Sequence, residues 1–85
     1  MNIIKEFANK RVVLRTNTYG HSLAFLDELF TEAKKDFPAL KRDDVEVVEF
    51  GGDRIKRMFA IEFNVTVKSE IPETYQEIRE MHPTL

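Results

Sequence analysis

The sequence predicts a small α+β domain, and three stretches carry that prediction. Arg54 to Lys68, RIKRMFAIEFNVTVK, alternates between a greasy and a mostly polar side. Ile55, Arg57, Phe59, Ile61, Phe63, Val65 and Val67 fall on one side; Arg54, Lys56, Met58, Ala60, Glu62, Asn64, Thr66 and Lys68 fall on the other. An extended strand turns successive side chains to opposite faces, so this is a long, half-buried strand. His21 or Ser22 to Phe37 instead repeats Leu23, Leu26, Leu29, Phe30, Ala33 and Phe37 at three- and four-residue spacing, one stripe of an amphipathic helix. Val45 to Phe50, VEVVEF, is β-branched and followed by Gly51-Gly52-Asp53, which marks a hairpin into the long strand.

The remaining elements follow in chain order. Ile3, Ile4, Phe7 and Ala8 lie at i, i+1, i+4 and i+5, so residues 1–9 predict a short N-terminal helix docked on something larger. Lys10 to Thr16, KRVVLRT, predicts the first strand, with Val12 and Leu14 on one face and Arg11, Val13 and Arg15 on the other. Asn17 to Gly20 is turn-rich. Ser22 is a suitable N-cap for the main helix, and Pro38 stops it by forcing its predecessor out of helical geometry. After the long strand, Pro72 opens a C-terminal helix and tail over 70–85, striped by Tyr75, Ile78 and Met81. The order is α-β-α-β-β-α.

The expected architecture is a single domain, 1–85, with a three-stranded antiparallel or mixed sheet covered by the main helix. The strand order 2-3-1 gives the longest strand two partners and permits a right-handed crossover. This order resembles a fragment of a ferredoxin-like plait, one strand short, a likeness of topology that implies no function. The expected core is Val12, Leu14, Leu26, Leu29, Phe30, Phe37, Val45, Val47, Phe59, Ile61, Phe63 and Val65.

Composition narrows the function classes. At 85 residues, the chain buries roughly 60–65% of its unfolded surface, one core and little more. There is no cysteine, which removes disulfides, thiolate nucleophiles and cysteine metal sites. No apolar run approaches the ~20 residues of a membrane span, and the first ten residues lack a signal-like apolar core, so the default expectation is a cytoplasmic protein. A net charge of −2, from 13 basic and 15 acidic residues, argues against a general polyanion binder.

Catalytic motifs are weak. His21 and His82 lie far apart and have no partners at metal-ligand spacing, so no metal or cofactor is expected. His21 beside Ser22 lacks the geometry of a nucleophile and base. The carboxylates of the helix and second strand read as solvated surface. The Gly51-Gly52 turn precedes a strand, unlike a phosphate-binding loop. Asn64-Val65-Thr66 fits the N-glycosylation pattern but falls inside the expected central strand.

Two surface readings remain. If the first and long strands pair, the face away from the helix carries Val13, Val48, Met58 and Ala60 among charges, the composition of a protein interface with a charged rim. The same face would collect Arg11, Arg15, Arg54 and Lys56, with Lys10, Lys41, Arg42 and Arg57 nearby, a basic set able to track a phosphate backbone. The leading expectation is therefore a small non-catalytic interaction or regulatory protein, a homodimer that binds a partner macromolecule. The alternative is an RNA- or DNA-binding module using the basic set.

Overall fold

A computed structural model of the chain describes residues 2–16, 24–52 and 57–77. Its architecture corrects the expected one. Among the described residues the sheet has five strands rather than three, and there is one α-helix rather than three. In chain order the elements are β1 (Ile3–Ala8), β2 (Arg11–Thr16), α1 (Ala24–Asp36), β3 (Glu46–Gly52), β4 (Arg57–Asn64) and β5 (Gln76–Glu77). The spatial order is β3-β4-β2-β1-β5. The three expected strands lie side by side as β3-β4-β2, the expected order 2-3-1, and β1 and β5 extend the sheet beyond β2.

The largest correction is the N-terminus. Residues 3–8 form a strand, not a helix, and pair antiparallel with β2 from Ile3 opposite Thr16 to Ala8 opposite Arg11. Two residues, Asn9 and Lys10, make the turn, with φ of 53° and 70°. Positive φ at both central residues defines a type I′ hairpin, whose twist matches that of the strands it joins. The second correction is at the other end. Residues 70–77 do not begin a helix. A 3-10 turn over Lys68–Glu70 leads to β5, which pairs parallel with β1 through Glu6 opposite Gln76 and Phe7 opposite Glu77. The rest of the expected C-terminal helix, including Ile78 and Met81, lies outside the described residues.

Register explains where the core sits. Lys5, Leu14, Ile61 and Val47 form one cross-strand row, and Phe7, Val12 and Phe63 another, all on the face that α1 covers. Leu29 and Ala33 of α1 pack against this face and are fully buried, with Val12, Leu14, Ile61 and Phe63 at or near zero exposure. Phe37 stands edge-on to Phe63, their ring centroids 5.3 Å apart, and tilts against Tyr75 at 5.4 Å. The helix ends where Pro38 requires: Phe37 still donates its N–H to the Ala33 carbonyl, and the chain then turns through Leu40.

Three details depart from the expected core. Phe7, Leu40 and Tyr75 are buried members of it. Val47, on the covered face by register, is 54% exposed. The helix packs over β2 and β4 and leaves β3 as a ledge beyond it.

Candidate functional site

The face away from α1 is laid out by the same registers. Glu46, Glu62, Val13 and Glu6 make one cross-strand row; Val48, Ala60, Arg15 and Ile4 make the next; Asn64, Arg11 and Ala8 make the third. Its cations are matched by acids. Arg11 Nη2 contacts the Glu62 carboxylate and lies 3.3 Å from Glu46 Oε1, while Nη1 donates to Asn64 Oδ1 at 3.1 Å. Arg15 Nε lies 3.6 Å from Glu6 Oε1. Val13 sits between these two ion pairs, with Arg11 and Arg15 two residues away on its own strand and Glu62 and Glu6 on either side.

That arrangement redistributes the expected site residues. Among the described side chains, three carboxylates (Glu6, Glu46, Glu62) face two guanidiniums (Arg11, Arg15), so this part of the face is not basic. Lys10 is exposed in the β1–β2 turn. Lys41 and Arg42 are on the helix side, where Arg42 pairs with Asp27 at 3.0 Å and stacks 4.5 Å from the Phe30 ring centroid. Arg54 and Lys56 lie outside the described residues. Arg57 begins β4, and Met58 follows it. Among the described cations, Arg11 and Arg15 lie on the face away from α1, Lys10 in the turn, and Lys41 and Arg42 on the helix side, so these five do not converge on one surface. Of the apolar set, Ala60 is fully buried and Val13 is buried at 9% exposure, so neither offers contact area; Val48 is half-buried.

A second polar cluster joins α1 to β1. Lys5 Nζ lies 2.8 Å from Asp36 Oδ2 and 3.2 Å from Glu32 Oε2, and 5.7 Å from the centroid of the Tyr75 ring. Burial, the largest single influence, pulls the Lys5 pKa down, but hydrogen bonds and charge from Asp36 and Glu32 together outweigh it and raise it above 10.5. The Lys5 hydrogen bond, helped by Lys35, holds Glu32 below 4.5. Burial, then the Asp36 charge, raises the Tyr75 hydroxyl. All three shifts run away from neutrality. The cluster ties α1 to β1 and to the segment that leads into β5. His21 and Ser22 lie outside the described residues.

The third feature is the β3 edge, which periodicity alone did not reveal. The strand order ends at β3 on one side, whereas β5 closes the other side over β1. The direction of its backbone groups follows from one hydrogen bond. Val65 N–H donates to the Lys10 carbonyl at 2.9 Å, one step beyond the Arg11–Asn64 pair. Bonded and non-bonded pairs alternate along antiparallel strands. Val12–Phe63 and Leu14–Ile61 are therefore bonded pairs, and the N–H and C=O of Ile61 face β2. On the other side of β4, Ala60 and Glu62 must bond Val48 and Glu46. Val47, opposite Ile61, then directs its own N–H and C=O away from the sheet. The exposed side chain and the outward backbone groups thus belong to the same residue.

Among the described residues, no group of acidic and histidine side chains is placed to hold a metal ion, and no helix is long and apolar enough to cross a membrane. The fold and its edge define a class: an α+β domain whose five-stranded mixed sheet, among the described residues, ends at β3 on one side and at the two-residue β5 on the other. No family model matches the chain, and neither the curated proteins nor the solved structures contain a significant match to it.

Proposed function

We propose that this chain is a small non-catalytic interaction protein that works by binding a protein partner, and that it binds itself as a homodimer. The open edge of β3 carries the reading. An edge strand offers unpaired N–H and C=O groups to another strand, and proteins usually block such an edge with lysine, proline or a covering segment. The outward-facing residue at the middle of the regular part of β3 is instead a half-exposed valine. The shifted pKa values of the Lys5 cluster support the non-catalytic part, because they leave those groups fixed in charge at neutral pH.

The burial of Ala60 and Val13 moves the contact surface from the flat sheet face to its rim, at Val47 and Val48. The nucleic-acid alternative gains no support from the ion pairs of Arg11 and Arg15, which already answer those charges within the chain. Solution mass by light scattering, with and without mixed RNA at low and high salt, tests the proposal. A dimer whose mass is indifferent to RNA and salt is expected. A monomer at every concentration would overturn self-association, and a salt-sensitive RNA complex would favour the nucleic-acid reading instead.

A further inference from the structure

Resting on the self-association proposed above, we infer that the occupant of the β3 edge is β3 of a second copy, antiparallel and related by a two-fold axis through Val47. A two-fold axis normal to the sheet pairs residue i with residue j so that i and j lie on the same sheet face, which leaves few registers. Their side chains and backbone groups separate them.

Centring on Val47 places Val47 against Val47, Glu46 against Val48 and Glu49 against Val45. Both outward Val47 groups then find partners, because a bonded antiparallel pair exchanges two N–H···O=C bonds. The two exposed valines cover each other, and no carboxylate faces a carboxylate. Centring on Glu46 would oppose that glutamate to itself, a repulsion between directly facing strand residues. Centring on Glu49 would carry the pairing into the register shift between Glu49 and Gly52. Centring on Val45 would use an N–H that already donates to the Arg42 carbonyl at 3.2 Å. Centring on Val48 sets each exposed Val47 against Glu49 and leaves the valines unpaired with one another. The register shift between Glu49 and Gly52 limits regular pairing to the part of the strand around Val47.

The Val47 register joins two five-stranded sheets into one, with both α1 helices on the same side. Glu46 stays on the opposite face, its carboxylate 3.3 Å from Arg11 of its own chain. Such a dimer is closed, since the two-fold axis uses each copy's β3 edge once.

The absence of cysteine makes the test clean. A bonded pair holds its Cα atoms about 5.5 Å apart, within the range a disulfide spans. Val47→Cys, Val48→Cys and the remote exposed control Thr66→Cys are each made as the single thiol of the full chain, oxidised and run without reductant, alongside light scattering of the reduced forms. The expected result is a dimeric mass for all three, with Val47→Cys alone shifting from a one-chain to a two-chain band. A dimeric mass with cross-linking through Val48→Cys, or through neither β3 position, overturns the Val47 register while leaving the homodimer standing. A monomeric mass for the unsubstituted chain overturns both.

Discussion

At the scale of single residues, Lys5 does the most unusual work. It stands on the covered face of the sheet, between Phe7 and Ile3, where alternation calls for an apolar side chain. It is tolerated because its ammonium reaches Asp36 and Glu32 on α1 while its stem lies beside the core. The pH dependence follows from the two shifts. Lys5 is raised above 10.5, so its contribution is whole below that value and is lost as pH climbs through the higher folded pKa. Glu32 is depressed below 4.5, so its contribution is whole above that value and is lost as pH falls through the lower folded pKa. Between roughly pH 5 and pH 10 the tie is intact and its contribution flat. Lys5→Met should therefore be less stable by about 1–2 kcal/mol across that window, the scale of charge-assisted hydrogen bonds discounted for partial exposure. Urea midpoints of the two proteins should begin to converge as pH falls below 4.5 and continue to do so through the lower folded pKa of Glu32. A gap that stays constant from neutral to strongly acid pH would show that the tie contributes nothing.

At the scale of elements, β5 has two paired residues among those described, a ladder too short to hold the segment after β4 without side chains. The Lys68–Glu77 bridge at 3.3 Å is exposed and adds little. The Tyr75 ring, wedged against Phe37 beneath Lys5, is the real anchor. Its hydroxyl is buried without a hydrogen bond of ordinary geometry. Tyr75→Phe should then change stability by no more than about 1 kcal/mol, while Tyr75→Ala should lose about 3–5 kcal/mol by opening a cavity. Thermal melts of both variants check this; an equal loss in the two would place the anchor in the hydroxyl. The same residues show why the sequence misled about the ends of the chain. Ile3, Ile4, Phe7 and Ala8 fit a two-turn helical stripe, and they equally fit a strand once Lys5 is admitted to the core face, which no periodicity rule admits. The Asn9-Lys10 turn lacks the glycine that announces most type I′ hairpins, so β1 and β2 did not read as a pair. Tyr75 belonged to a helical stripe only by assuming that Pro72 opened a helix. The main helix, the β3–β4 hairpin and the pairing of β2 with β4 were legible because in each the local pattern and the tertiary burial agree.

For the whole molecule, the candidate site was legible in composition and not in position. The mixture of valines and charges on the second and long strands was visible, but which of them reach solvent depends on what lies across the sheet. Ala60 and Val13 are hidden on the face without the helix, and Val47 is exposed on the face with it, the reverse of what alternation implies. The offset of α1 toward β2 and β4 leaves Val47 uncovered, and on the opposite face Val13 is enclosed between the Arg11 and Arg15 ion pairs. The consequence for the folded state is a stability that depends on concentration. If two copies share a sheet through Val47, folding and association are linked, and each tenfold rise in protein concentration stabilises the dimer by about 1.4 kcal/mol, or about 0.7 kcal/mol per chain. For a domain of this size that is about 3–6 °C in the melting midpoint per tenfold in concentration. Val47→Lys places a charge on the rim of the sheet, where proteins guard an edge, and it replaces a side chain that is already 54% exposed, so the monomer should fold unimpaired. The expected outcome is a melting midpoint that rises with concentration for the natural chain and stays level for Val47→Lys, with the two curves meeting at the lowest concentrations. A midpoint that rises equally in both would locate the association elsewhere on the molecule, and a level midpoint in both would mean that the β3 edge stands open in solution as it does in the isolated chain.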